Sequence, residues 1–144
     1  MPSLQPINVT AATLAVTRKT HAGATIVASR AAGITMTLPA ATGTGAKFKV
    51  VVNTTITSNN LIIQVANGTD VMTGTALVAQ DAGDTSVIFE TAADSDTITM
   101  NGSTKGGIKG DIIELEDVAS GLWSVSVSAS GTGTEVTPFS AAVS

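Results

Sequence analysis

Along most of this chain apolar and polar residues alternate with a period of two. The clearest run lies between Gly33 and Asn53. There Ile34, Met36 and Leu38 alternate with Thr35 and Thr37, and then Phe48, Val50 and Val52 alternate with Lys47, Lys49 and Val51. That period sends successive side chains to opposite faces of a strand, so both segments predict half-buried strands. Pro39 has no amide proton for a ladder and stops the first strand. Gly43 and Gly45 permit the positive φ of a tight connection. The stretch reads as strand, tight connection, strand: a hairpin-like element with further sheet laid around it.

The same pattern recurs on both sides. Ala12 to Lys19 alternates weakly through Leu14 and Val16, and Ala24 to Ser29 carries Ile26 and Val27 on opposite faces. Leu61, Ile63 and Val65 share a face, and Asn67-Gly68 has the composition of a type I′ hairpin turn. Val71 to Ala79 predicts one strand or two, broken at Gly74. Asp81 to Asp84 predicts a turn, followed by a strand from Thr85 to Glu90 with Val87 and Phe89 inward. Thr97 to Met100 precedes a second hairpin signal, Asn101-Gly102. Asp111 to Glu116 then alternates acids with Ile113 and Leu115, and Trp123, Val125 and Val127 share a face. Turns at this spacing between short strands predict an all-β fold, an antiparallel β-sandwich or jelly-roll-like barrel, over residues 11–129. Residues 1–10, with two prolines and no periodicity, predict an extended N-terminal arm. Residues 130–144 predict a flexible hinge, Ser130-Gly131-Thr132-Gly133, and a tail.

Composition supports strands and narrows the chemistry. The 144 residues include 23 threonines and 14 glycines, with 3% aromatic and 12% charged residues. Branching at Cβ suits threonine and valine to the pleated surface. The absence of cysteine excludes disulfides, thiolate metal sites and thiol nucleophiles. Met1 to Pro6 has neither a basic n-region nor an apolar h-region, so no signal peptide is expected. No apolar run approaches the roughly 18 residues of a membrane span. The Asn-x-Ser/Thr triplets at Asn8, Asn53, Asn67 and Asn101 read as turn and strand-end asparagines.

The net charge of −4 is unevenly placed. Residues 1–60 hold Arg18, Lys19, Arg30, Lys47 and Lys49 and no acid, whereas all eleven acids lie beyond residue 60 with only Lys105 and Lys109. Either two different surfaces result, or the halves meet in space and cancel. The cations are too sparse for a nucleic-acid footprint, which combines a basic patch with stacking aromatics.

Catalytic groups are few. His21 is the only histidine, and no Gly-x-Ser-x-Gly elbow accompanies it. Gly43-Thr44-Gly45-Ala46-Lys47 superficially matches a phosphate loop but lacks the Gly-Lys-Ser/Thr ending. Glu114 and Glu116 project from one strand face about 7 Å apart. With Asp111 and Asp117 nearby they could hold Ca²⁺, which takes six to eight oxygens, or serve glycoside hydrolysis; a solvated strand face is the simpler reading. The chain reads as a non-enzyme without cofactor or metal. Apolar residues also occupy the second faces of several strands, at Val27, Val51, Ile62, Ile88 and Ile112. A sandwich buries one face of each sheet, so this set suggests burial between subunits.

Taken in order, Thr37-Leu38-Pro39, Lys47 to Val52, Asn60 to Ile63, Asn67 to Gly74, Gly110 to Leu115 and Gly121 to Val125 form a succession. It resembles a class of small β-rich tailed-phage virion proteins and covers roughly residues 30–128. The resemblance is greatest to capsid decoration (cement) proteins. It implies a homotrimer on the outer surface of the capsid, bound to the major capsid protein and bridging capsomers, with no nucleic-acid or membrane partner. On that reading Leu4, Ile7 and Val9 of the arm, with Arg18, Lys19, Arg30, Lys47 and Lys49, would contact the shell. Val27, Val51, Ile62, Ile88 and Ile112 would pack around the threefold axis. The alternative is a receptor- or glycan-binding module of a fibre or other appendage, and a third reading is a hydrolase-like domain using Glu114 and Glu116.

Overall fold

A computed structural model describes residues 5–143. Twelve strands and one helical turn follow in order: β1 (Ile7–Val9), β2 (Thr13–Ala15), α1 (Arg18–His21), β3 (Thr25–Ala28), β4 (Ile34–Thr37), β5 (Lys47–Val52) and β6 (Leu61–Gln64). They continue with β7 (Val71–Gln80), β8 (Ser86–Glu90), β9 (Thr97–Met100), β10 (Ile112–Ala119), β11 (Leu122–Gly131) and β12 (Phe139–Ser140). Two sheets pack as a single-domain β-sandwich. One has the order β1-β3-β5-β10-β11-β7-β8, the other β12-β9-β6-β4-β2.

The inward positions are those set by the alternation. In the larger sheet Ile26, Val50, Ile113, Val127 and Ala76 lie in one register row, each buried. In the smaller sheet Met36, Ile63 and Ile98 form the matching row. Phe48 and Trp123 fill the space between, with ring centroids 5.8 Å apart.

The sheets are mixed rather than wholly antiparallel: five of the ten strand pairings are parallel. The cause is the path of the chain. From β1 to β6 it changes sheet at every step, so β1, β3 and β5 stack in parallel in one sheet and β2, β4 and β6 in the other. Residues 33–53 are therefore not a hairpin; β4 and β5 belong to opposite sheets. Asn67-Gly68 is not a type I′ turn either. Neither residue has positive φ, and the Asn67 carboxamide oxygen accepts from the Thr69 and Asp70 amides while the chain crosses between sheets. Asn101-Gly102 likewise starts a crossing, from β9 to β10. Adjacent-strand hairpins join β7 to β8 and β10 to β11, the latter through Ser120-Gly121.

Four further expectations change. The strand expected over Ala12 to Lys19 ends at Ala15, because the Thr17 hydroxyl accepts from the Thr20 amide and caps α1. β7 is continuous through Gly74, whose backbone approaches β11 so closely that a Cβ there would lie 1.8 Å from the Val125 oxygen. The expected hinge and tail are packed: β11 extends to Gly131, Phe139 is buried against β9, and the Asp96 carboxylate accepts from the Ala142 and Val143 amides. At the other end Ile7–Val9 is an edge strand beside β3, with Val9 buried, so this part of the expected arm is sheet.

Candidate functional site

The acids divide into two populations with different tasks. Asp111, Ile113, Leu115 and Asp117 share the phase of β10 that points inward, and all four are buried. Asp117 gathers the connection between β4 and β5. Its carboxylate accepts from the amides of Thr42, Gly43 and Thr44, at 2.7 Å for Gly43, from the Thr44 hydroxyl at 2.8 Å, and from Arg18 at 3.2 Å. Successive amides converging on an anion form a nest, made possible here by Gly43 at φ 78°. Burial alone would raise this carboxyl, but the Thr44 hydroxyl and the three amides outweigh it and hold the group well below the usual carboxylate range. Asp70 holds the same connection through the Ala41 amide at 2.8 Å.

Asp111 accepts from the amides of Gly107, Ile108 and Ser130, yet burial dominates and its pKa is raised. Glu114 and Glu116 point to the opposite, outer face of β10. The four carboxylates considered for Ca²⁺ are therefore split between two faces, and the inner pair is occupied by backbone amides. No group of three or more His, Asp or Glu suited to a metal occurs among the described residues. His21 is buried in α1, where its Nδ1 accepts from the Thr17 amide at 3.0 Å. These groups anchor backbone.

The outer face of the seven-stranded sheet is ordered in a different way. One register row reads Asn8, Val27, Val51, Ile112, Ser128, Leu77, Ile88. It contains four of the five residues expected at a subunit contact. Ile62 is the exception, lying on the outer face of the other sheet between Thr35 and Thr99. Sequence reasoning missed Leu77, which joins the row at 41% exposure beside Ile88 at 62%. Its place in an alternating run was visible, but its neighbours across the sheet were not. The next row is polar: Thr25, Lys49, Glu114, Ser126, Thr75, Glu90. Beyond it Lys47 faces Glu116, with 4.0 Å between charged atoms. A shallow trough of about 390 Å³ runs over this polar area, lined by Thr25, Lys47, Lys49, Glu114, Glu116 and Ser126 among others.

The residues expected to meet a shell do not form one patch. Leu4 lies outside the described residues. Val9 is buried and Ile7 packs on the core edge, so neither is an extended clamp. Arg18 is committed to Asp117 and to the Ala40 carbonyl, and Arg30 donates to the Gly33 carbonyl. Lys19 is exposed on α1. Lys47 and Lys49 are exposed but face Glu116 and Glu114 across β5 and β10. The charge asymmetry between the two halves of the sequence is thus partly cancelled, since β10 brings Glu114, Glu116 and Asp117 against Lys49, Lys47 and Arg18.

No protein-family model, curated protein or solved structure matches the chain.

Proposed function

We propose that the protein is a structural component of a phage-type virion, a decoration protein on the outer surface of the capsid that stabilises the head by bridging capsomers of the major capsid protein. The observation that carries this reading is the apolar row on the outer sheet face, set in a molecule whose inward acids hold backbone. Such a molecule is equipped for protein contact more than for chemistry. A bridging protein needs more than one contact surface, and a sandwich offers two outer faces. Binding only to the assembled shell would stabilise it by mass action. The test is co-sedimentation of the purified protein with undecorated heads of the phage that encodes it. Saturable binding and a higher disruption temperature of the heads are expected; folded protein that stays in the supernatant overturns the proposal.

The trough beside Lys49 and Glu114, whose lining mixes charged residues with Phe48, Leu115 and Val125, favours the second reading, a glycan- or receptor-binding module of an appendage. Binding on a glycan array with no binding to heads would select it.

A further inference from the structure

We propose that the outer face of the seven-stranded sheet is a two-fold contact between two copies of this chain. The strand order β5-β10-β11-β7-β8 has β11 at its centre. About that centre the apolar row is a chemical palindrome: Val51 and Ile112, then Ser128, then Leu77 and Ile88. A two-fold axis lying in the contact along β11 carries β5 onto the partner's β8, and β10 onto the partner's β7. Val51 of each copy then meets Ile88 of the other, Ile112 meets Leu77, and Ser128 lies near its own symmetry mate. This is the self-complementarity that an isologous contact requires.

The polar row agrees. Under the same operation Lys49 of each copy meets Glu90 of the other, giving two opposite-charge pairs, while Glu114 meets Thr75 and brings no like charge into contact. At the axis the exposed outward side chains of β11 are the small Ser124, Ser126, Ser128 and Ser130, with half-buried Leu122 at the start of the strand, so nothing bulky separates the sheets at the two rows in contact. Faces of aligned sheets pack about 10 Å apart at about 30°, within which the long Lys49 and Glu90 side chains can still reach each other.

The size is sufficient. The five overlapping strands, β5, β10, β11, β7 and β8, each take about 4.8 Å of width, and an overlap averaging about seven residues at about 3.3 Å gives a face of roughly 24 Å by 24 Å. That is roughly 570 Å² per copy and about 1,100 Å² in total, which clears the roughly 1,000 Å² of a specific contact. The row also holds two of the four exposed large apolar side chains among the described residues, Leu77 and Ile88, so the contact covers side chains that water otherwise meets. A two-fold pairing differs from the threefold packing that the resemblance implies, and because it covers the apolar row, such a dimer would meet the head through its other surfaces.

The experiment is sedimentation equilibrium with native mass spectrometry on the full chain, without heads. A concentration-dependent dimer is expected. Ile88→Asp, at an exposed edge-strand position, should raise the dissociation constant at least tenfold with circular dichroism unchanged. Lys49→Glu and Glu90→Lys should each weaken the dimer several-fold, and the double exchange should restore it. A monomer at every concentration, a trimer, a dimer indifferent to Ile88→Asp, or a double exchange that fails to restore association would overturn the proposal. A monomer that still co-sediments with heads would overturn this contact alone; a dimer that ignores heads would overturn the decoration reading alone.

Discussion

Replacing Asp117 by alanine should unravel the connection between β4 and β5. The carboxylate accepts from three backbone amides, one hydroxyl and one guanidinium. Its side chain is fully buried, so none of these partners can exchange it freely for water in the folded protein. A hydrogen bond to a charged group contributes about 1.5–3 kcal/mol, and such bonds on one group are not additive. The Arg18 side chain is 36% exposed, so the ion pair itself adds only about 1 kcal/mol to these. The expected loss for Asp117→Ala is about 4 kcal/mol, which for a domain of this size lowers Tm by about 12 °C. Asp117→Asn keeps the shape and one acceptor oxygen and should lose about half as much, about 2 kcal/mol. Urea unfolding followed by the fluorescence of Trp123, the single tryptophan, reads both. The sign of the pH dependence is fixed by the depressed pKa. The folded protein favours the ionised form, so this stability is fully present above the unfolded value of about 3.9 and is lost as pH falls through the folded value. Wild type should therefore lose more stability than Asp117→Asn as acid is added below about pH 4. A loss under about 1 kcal/mol for Asp117→Ala, or parallel acid profiles, would refute the account of the clasp.

Other positions test other parts of the fold. Asp111 is raised by burial, the opposite sign, so its stabilisation weakens as pH climbs through its folded value; Asp111→Asn should cost less than Asp117→Asn at neutral pH in the same urea assay. Phe48→Ala should cost about 3–5 kcal/mol and red-shift the emission of Trp123, whose ring it touches. Gly74→Ala should prevent soluble expression or cost about 3 kcal/mol or more, since backbone would have to move. Gly45→Ala meets open space and should cost only about 1 kcal/mol from its positive φ, as thermal melts would show. Phe139→Ala should cost about 3 kcal/mol and speed hydrogen exchange at Thr99, whose amide donates to Pro138 in the packed tail.

The alternation in the sequence identified faces far better than partners. Phe48, Val50 and Val52 point inward as their period requires, as do Trp123, Val125 and Val127. A period of two carries no information about which sheet a strand joins. That is why residues 33–53 and Asn67-Gly68 read as hairpins when the chain was crossing the sandwich. The outer row shows the same limit: Val27, Val51, Ile88 and Ile112 were visible as second-face residues, but only the register aligns them with Leu77 and separates Ile62. The clasp left a fainter trace. Asp111 and Asp117 are in phase with Ile113 and Leu115, a pattern that places them inside, although their nearness in sequence to Glu114 and Glu116 suggested a shared acidic surface. The tail misled by composition, because Gly131 and Gly133 suggest mobility while Phe139 and the Asp96 carboxylate hold it in place.

We propose that this chain works by contact with a phage shell. Electron microscopy of virions from the encoding phage, labelled with an antibody to the protein, tests it most directly. Label over the outer surface of the head at regular lattice positions is expected. Label confined to tail fibres, or virions without the protein, would contradict it.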